Sequence, residues 1–486
     1  MVDKERIIYI QEMMLITHNT SLKEILKKID SNAKGCVFVT DDNSRLVGVV
    51  TDGDVRRLLL NDYELQEPIM NHLNKEYAYA YEQDNFQHII GKLNYKVRIL
   101  PIVNKKREVV DYFEYHQNVS VPISQPHLGG NEFKYLQDAF LSTWISSSGS
   151  YITKFEEMFA QYCGVQYGVA VSNGTVALHL ALLALEIGEG DEVIVPDITF
   201  AATINAVLYV GATPVIVDIE EDSWCIDPVE IEKAITSRTK AIIPVHIYGQ
   251  PCDMEQIGKI AKSHNLYVIE DCAEAHGAQY DGQVVGSMSD ISCFSFFGNK
   301  VITTGEGGMC LTQSKELEEK IRLLKDHGMD KQRKYYHTVV GYNYRMTNLQ
   351  AAIGVAQLER IEEIHKRRCQ IEHSYHQGLT GIEGVTLQSD TLDKREKIVW
   401  LVSLLIDEEY REECEKRLKE NQIDVRPFFI PLSEMELYKK YTFSNEISSK
   451  ISKVGINLPT AYDITEEMIS RISLIIREVV NGVRQE

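Results

Sequence analysis

From Gly129 onward, short β-branched runs alternate with stretches of helical period. YGVAVSN precedes TVALHLALLAL, EVIVPD precedes FAATINAVLYVG, and PVIVD, AIIPVHIYG and LYVIED follow, with a break at Glu274 to Gly277. Apolar runs of four or five residues separated by helices predict a parallel or mixed sheet covered on both faces, an α/β fold. Ahead of these runs, GGNEFKYLQDAFLSTWISSSGSYITKFEEMFAQYCG predicts two amphipathic helices around a polar turn at Ser146 to Ser150. Behind them, GYNYRMTNLQAAIGVAQLERIEEIHKRRCQIEHSYHQGL predicts one long helix leading into a smaller lobe. That lobe, from about residue 370, has WLVSLLI as a strand, a helix around Glu408 to Asn421 and a final helix from Thr465, an α+β arrangement.

The first 118 residues carry a weak internal duplication at an offset of 64, in which Leu22 answers to Phe86 and Val39 to Val103. Each copy reads helix, strand, turn, strand. The segment NVSVPISQP, from Asn118 to Pro126, is short, β-branched and proline-containing, as a linker would be. Three domains are expected: 1–118, 119–370 and 371–486.

A chain of 486 residues with 44% hydrophobic and 25% charged residues has the composition of a soluble globular protein. Its formal charge of -20 is concentrated in the second body. Residues 1–118 hold 16 Lys+Arg against 18 Asp+Glu, and the remainder 35 against 53. So acidic a body argues against nucleic acid, which demands basic surface to displace counterions. The nine cysteines show no Cys-x-x-Cys spacing, which points to neither a disulfide framework nor a metal site. The charged start and the lack of an apolar run of ~18 residues point to a cytoplasmic protein with no membrane partner.

Chemistry concentrates between Cys293 and Cys310, CFSFFGNKVITTGEGGMC. Lys300 stands five residues after Ser295 and just before Gly305-Glu306-Gly307-Gly308. A lysine can form a Schiff base with an aldehyde, a nearby hydroxyl can hold a phosphate, and glycines admit a cofactor or another backbone. These are the needs of a pyridoxal phosphate site, although the stretch alone also reads as a strand and loop with a solvated amine. Asp271 closes the strand LYVIED, where α/β sheets expose side chains to a ligand crevice. A carboxylate there pairs with a protonated pyridine nitrogen or caps a helix. Ser172-Asn173-Gly174-Thr175 lies at a strand-to-helix junction, either an anion site or a simple N-cap. Phe200, after another strand end, either stacks on a flat ring or belongs to the core.

Taken together, WISSSG, SNGTVALHLAL, PDITFAATINAV, VDIEEDSWCID, PVHIYGQPCDM, VIEDCAEAHGA, SFFGNKVITTGEGG, GYNYRMTNLQAAIG and VRPFFIPL resemble, in order, the DegT/DnrJ/EryC1/StrS sugar aminotransferases from about Gly129 to Leu474. The resemblance implies fold type I, with a large α/β domain and a small C-terminal α+β domain. It implies a ping-pong reaction on pyridoxal phosphate with L-glutamate as amino donor. Lys300 would be the Schiff-base lysine and proton carrier, and Asp271 the partner of the pyridine nitrogen. Gly174, Thr175 and Ser295 would form the phosphate cup, with Asn343 reaching in from the second subunit of a homodimer. Phe200 would stack on the ring. Glu274 stands where many members have Gln, near the cofactor's phenolic oxygen, and Ser433 where many have His. The phrasing is most similar to the perosamine-forming members, which aminate C4 of GDP-linked 4-keto-6-deoxymannose. Related members use UDP- or dTDP-linked sugars, or aminate C3. A catalytically inactive nucleotide sensor of the same fold is the rival reading, and the presence of Lys300, Asp271 and Ser295 together argues against it.

Within the first 118 residues, Gly48-Val-Val-Thr51-Asp-Gly-Asp54 resembles a CBS module, in which Thr51 and Asp54 would hold the ribose and phosphates of an adenine nucleotide. The second copy, Val109-Val-Asp-Tyr-Phe-Glu-Tyr, lacks that Gly and Thr. An α+β CBS pair with at most one nucleotide per chain is therefore expected, serving either to sense that nucleotide or, in a purely structural role, to pair subunits.

Overall fold

The computed structural model describes residues 10–61, 63–73, 77–84, 89, 92, 97–114, 121–330, 332–390 and 392–482. The chain divides into two compact units, Met1–Ser120 and Val121–Glu486.

In the first unit one topology occurs twice. Strand Leu15–Thr17 runs parallel to Cys36–Thr40, which pairs antiparallel with Leu46–Thr51. Ala80–Tyr81, Ile99–Val103 and Val109–Glu114 repeat that order and those directions. The intervening helix Leu22–Asn32 starts at Ser21, whose hydroxyl accepts from the Glu24 amide while the Glu24 carboxylate accepts from the Ser21 amide. Leu22, Ile25 and Ile29 bury one stripe of that helix beneath the sheet. Both hairpins carry an irregularity, with Val39 opposite Gly48 in the first and Ile102 opposite Asp111 in the second. The structural partner of Val39 is therefore Ile102 and not Val103, one residue short of the offset read from the sequence. Glu114, paired with Ile99, then takes the place of Thr51, paired with Cys36. Phe86 lies outside the described residues. Phe38 and Tyr112, 6.3 Å apart, meet in the apolar layer shared by the two sheets.

The second unit is built on a seven-stranded sheet. Its spatial order is Tyr167–Val171, Gly308–Thr312, Ile291–Ser295, Tyr267–Asp271, Thr239–Ile242, Glu192–Pro196 and Thr213–Val217. Gly308–Thr312 runs antiparallel to both neighbours and the rest are parallel, as β-branched runs joined by helices dictate. Helices Gly174–Ala184 and Ala202–Tyr209 bury Leu178, Ala181, Ile204 and Val207 against one face. Phe155, Phe159, Ala351 and Val355 lie in the core on the other.

The expected long helix is two, Asn348–Leu358 and Ile361–Leu379. At the joint, Arg360 leaves helical geometry (φ -117, ψ 9), and side-chain bonds hold the bend. Arg360 donates to Glu363 and to His127 Nδ1, while Glu359 accepts from Asn131 and Tyr135. Helix Ile361–Leu379 runs through position 370 and packs with Glu466–Gly482 on a four-stranded antiparallel sheet. That sheet has the order Val385–Leu387, Val402–Ile406, Gly455–Leu458, Arg426–Pro427. Among the described residues no helix is long and apolar enough to cross a membrane.

Candidate active site

The carboxyl ends of the parallel strands and the starts of the segments after them meet at one edge of the seven-stranded sheet. Asp271 ends Tyr267–Asp271, and Ser295 ends the adjacent Ile291–Ser295. Helix Gly174–Ala184 begins beside them. A Cβ on Gly174 would lie 2.8 Å from Ser295 Cβ, and one on Gly308 would lie 2.4 Å from the Asn173 carbonyl oxygen. Only glycine at both positions lets the helix start and the returning strand come this close. Asn173 caps the helix, its Oδ1 accepting from the Val176 amide at 3.0 Å.

Asp271 is buried, with Oδ2 accepting from Thr203 Oγ1 at 2.9 Å and Oδ1 from the Ala273 amide at 3.2 Å. Burial raises its pKa against these bonds and the attraction of Lys300. Lys300 Nζ lies 3.5 Å from Glu274 Oε1 and 3.9 Å from the centroid of the Trp400 ring. Burial pushes the Lys300 amine down and the Glu274 carboxyl up, outweighing their mutual attraction. Glu274 Oε2 also accepts from the Tyr248 amide at 2.9 Å. Behind Ser295, His276 Nε2 donates to the Ser295 carbonyl at 2.8 Å, and burial drops that ring's pKa to about 3, leaving it neutral.

Lys300, Asp271, Glu274, Ser295, Gly174 and Thr175 thus gather at one sheet edge. Phe200 stands at 61% exposure in the loop after Glu192–Pro196, 6.0 Å from Phe429, so its ring face is not used by the core. Asn343 is exposed, bridged to Asp326 and accepting from Arg345. The carbonyl of the next residue, Tyr344, accepts from the Ser172 amide at 2.9 Å, so this segment runs beside the Gly174 helix start, although among the described contacts no side-chain bond joins Asn343 itself to the cluster. Ser433 is buried, and its amide and hydroxyl both donate to Asp197 at 2.7 Å, with Ser448 Oγ a third donor. It is spent on a buried carboxylate. In the first unit, Thr51 and Asp54 bond to each other across the start of helix Asp52–Leu60, and Asp54 also pairs with Arg57. Sequence reasoning missed Thr203, Tyr248, His276 and Trp400. Thr203 was legible only as part of PDITFAATINA, and Trp400 read as the edge of a core strand.

His246, Glu270 and Cys272 lie within 4.8 Å of one another, but His246 Nδ1 accepts from the Cys252 amide and Nε2 donates to Glu270. Glu270 also accepts from Gly286, Met288 and Ser289, so this cluster is a closed hydrogen-bond network.

Pyridoxal phosphate presents an aldehyde, a basic ring nitrogen and a phosphate. The edge supplies a buried amine, a carboxylate with lone pairs left on both oxygens, and a helix start that glycine opens beside a serine hydroxyl. The donor set fits the cofactor and, with the strand order, points to a pyridoxal phosphate-dependent enzyme.

Comparison with known proteins carries this further. The chain belongs to the DegT/DnrJ/EryC1/StrS aminotransferase family, whose sequence profile matches residues 126–477, and the profile of the CBS domain matches residues 8–61. A GDP-perosamine synthase of Escherichia coli O157:H7 is 48% identical over 359 residues, covering 74% of this chain and 98% of that protein. The GDP-perosamine synthase of Caulobacter vibrioides is 44% identical over 364 residues, again covering 74% and 98%. Among solved structures, Spr1654 of Streptococcus pneumoniae in its PLP form superposes with a TM-score of 0.71 at 28% identity, over 75% of this chain and 99% of that one.

Proposed function

We propose that this enzyme moves the amino group of L-glutamate to C4 of GDP-4-keto-6-deoxymannose, giving a GDP-linked 4-amino sugar. What carries the reading is the agreement with two GDP-perosamine synthases over nearly their whole length, joined to a site whose donors fit the cofactor.

When bound, pyridoxal phosphate supplies an aldehyde that exchanges amines and a ring that stores the electron pair of a broken C–H bond. The protein's residues do the rest. Lys300 Nζ holds the cofactor between turnovers and, once free, carries a proton across the site. Burial keeps that amine less basic than an ordinary lysine, which makes it readier to give up a proton. Asp271 holds the proton on the ring nitrogen, and Thr203 fixes the carboxylate's orientation. Gly174, Thr175 and Ser295 hold the phosphate by helix-start amides and hydroxyls. Phe200 would cover one face of the bound ring, and Glu274 would lie toward its phenolic oxygen. Asn343 serves the site of the other subunit in a homodimer, in keeping with its exposed side chain.

The test is a panel of GDP-, UDP- and dTDP-linked 4-keto-6-deoxy sugars incubated with enzyme and L-glutamate and read by mass. Conversion of the GDP sugar is expected. Conversion of the UDP or dTDP sugar alone would reassign the substrate, and conversion of none would overturn the reading. The CBS match supports a separate role for the first unit, binding one adenine nucleotide at Thr51 and Asp54 once their mutual bonds open. Calorimetric titration with AMP, ATP and GDP tests it, and no heat with any of them would remove it.

A further inference from the structure

Around Lys300, groups from three separate stretches close a ring. Its Nζ sits between Glu274 Oε1 at 3.5 Å and the Trp400 ring centroid at 3.9 Å. Tyr248 ties these two together. Its amide donates to Glu274 Oε2, and its ring lies at 21° to the Trp400 ring with centroids 6.2 Å apart. Trp400 itself is 4% exposed and is fixed at both ends. Its indole N–H donates to the carbonyl of Asn299, the residue before Lys300, at 2.8 Å. Its own carbonyl accepts from Thr460 Oγ1 at 2.9 Å and from the buried Arg368 guanidinium.

Packing alone does not demand an indole at this place, since Phe or Leu would also fill an apolar slot. An indole adds two things, a π face toward a cation and an N–H toward the backbone that carries that cation. Both are used here on the same lysine segment. Transamination frees the Lys300 amine in every half-reaction, so the amine needs a defined place when it is not joined to the cofactor. A four-carbon stem with free rotation would otherwise cost proton-transfer geometry.

We propose that Trp400 is a positioning residue: with Glu274 it forms the resting place of the Lys300 amine whenever that amine is not joined to the cofactor. This rests on Lys300 being the cofactor lysine. The charged and titratable groups around the amine are Glu274 at its contact, Asp271 at the strand end, His276 behind Ser295, and Arg368 behind the Trp400 carbonyl. The π face favours the charged form of the amine. Removing it should shift the titration of Lys300 toward lower pH.

The experiment is reductive methylation of the full-length, cofactor-free protein across a pH series, with the Lys300 peptide quantified by mass spectrometry. Trp400→Leu is expected to move the Lys300 midpoint down by about 0.5–1.5 pH units and Trp400→Phe by less than half as much. A midpoint unmoved in Trp400→Leu, or moved equally in both variants, overturns the proposal. A second measurement needs no change at Trp400. Indole emission of the wild type should step at the pH of Lys300 titration, and Lys300→Met should remove the step. An emission profile that Lys300→Met leaves unchanged also overturns it. Borohydride reduction of the loaded wild type separates the two readings. Cofactor trapped on another residue would sink the assignment of Lys300, whereas trapping on Lys300 with unmoved titrations would sink only the role of Trp400.

Discussion

The helix starts at Thr51 and at Asn173 obey the same local rule, a short polar residue at or just past a strand's end whose side chain caps the helix that follows. They diverge at the third helical position. After Thr51 that position is Asp54, and the two residues exhaust each other. The Thr51 hydroxyl and amide donate to Asp54 Oδ2 at 2.6 and 2.8 Å, and the Asp54 amide returns a bond to the hydroxyl. After Asn173 that position is Val176, which offers only its amide. Among the described residues no side chain accepts from the amides of Gly174 and Thr175, and Ser295 stands against Gly174. A helix start that closes on itself stabilises a fold. One left open by glycine and lacking an acid in its first turn is free to take an anion.

The open start matters only if Lys300 and Asp271 work beside it. Lys300→Ala is expected to bring turnover to the detection limit and to abolish borohydride trapping of the cofactor. Asp271→Asn should keep the cofactor and lose turnover by about 100-fold or more, because a neutral partner no longer holds charge on the ring nitrogen. Near-normal turnover in Asp271→Asn, measured with saturating cofactor, would make Asp271 a structural cap and the two junctions alike.

Gly174→Ala sharpens the contrast at its centre. The added Cβ would fall 2.8 Å from Ser295 Cβ and must push the helix start away from the hydroxyl. Loss of one or two charge-assisted hydrogen bonds to the phosphate should weaken cofactor binding about 10- to 100-fold. Titration of cofactor-free protein with pyridoxal phosphate, followed by absorbance, checks it. Unchanged affinity would mean that the anion is held elsewhere.

Why one junction was legible as a site and much around it was not follows from how far each signal travels along the chain. The strand-helix alternation and the buried β-branched runs place the seven-stranded sheet directly, and periodicity locates Asp271 and Ser295 at strand ends and Gly174 at a strand-to-helix junction. Trp400 reaches Lys300 from a hundred residues downstream, through a lobe whose docking no local period encodes, so it reads as an ordinary strand residue. The break at Arg360 has no glycine or proline to announce it, and side chains from Asn131, Tyr135 and His127 hold it. In the first unit the equivalence of Val39 with Ile102 rests on a bulged register, which hydrophobic spacing cannot locate to one residue.

His276 gives the second unit a pH dependence with a definite sign. Its folded pKa is depressed to about 3 by burial, against an ordinary value near 6.5, so the unfolded chain takes up a proton that the folded ring refuses. Stability is therefore lost as pH falls from about 6.5 toward about 3, and His365, lowered to about 4 by burial, acts in the same direction. The raised carboxyls of Asp271 and Glu274 work the other way, gaining protons in the folded state over part of that window. The contribution of His276 is thus read as a difference. Urea midpoints between pH 7 and pH 5 should fall less steeply in His276→Asn than in the wild type, by about one proton. Equal slopes would mean that His276 carries a proton in the fold, contrary to the effect of its burial.

Thr51→Ala tests the closed junction and has the smallest expected effect. Removing the hydroxyl leaves the Asp54 amide without its acceptor, while Asp54 keeps the Thr51-position amide and Arg57. Losses of this kind cost about 1 kcal/mol, which appears as roughly fivefold faster hydrogen exchange in helix Asp52–Leu60, read by mass spectrometry of its peptides. Turnover of the full-length enzyme should stay within error, because every residue placed at the catalytic edge belongs to the second unit. A change in turnover well beyond that small local loosening would show that the first unit biases the active arrangement. The closed junction would then be a regulatory element, and the contrast with the open one would be a matter of partner and not of purpose.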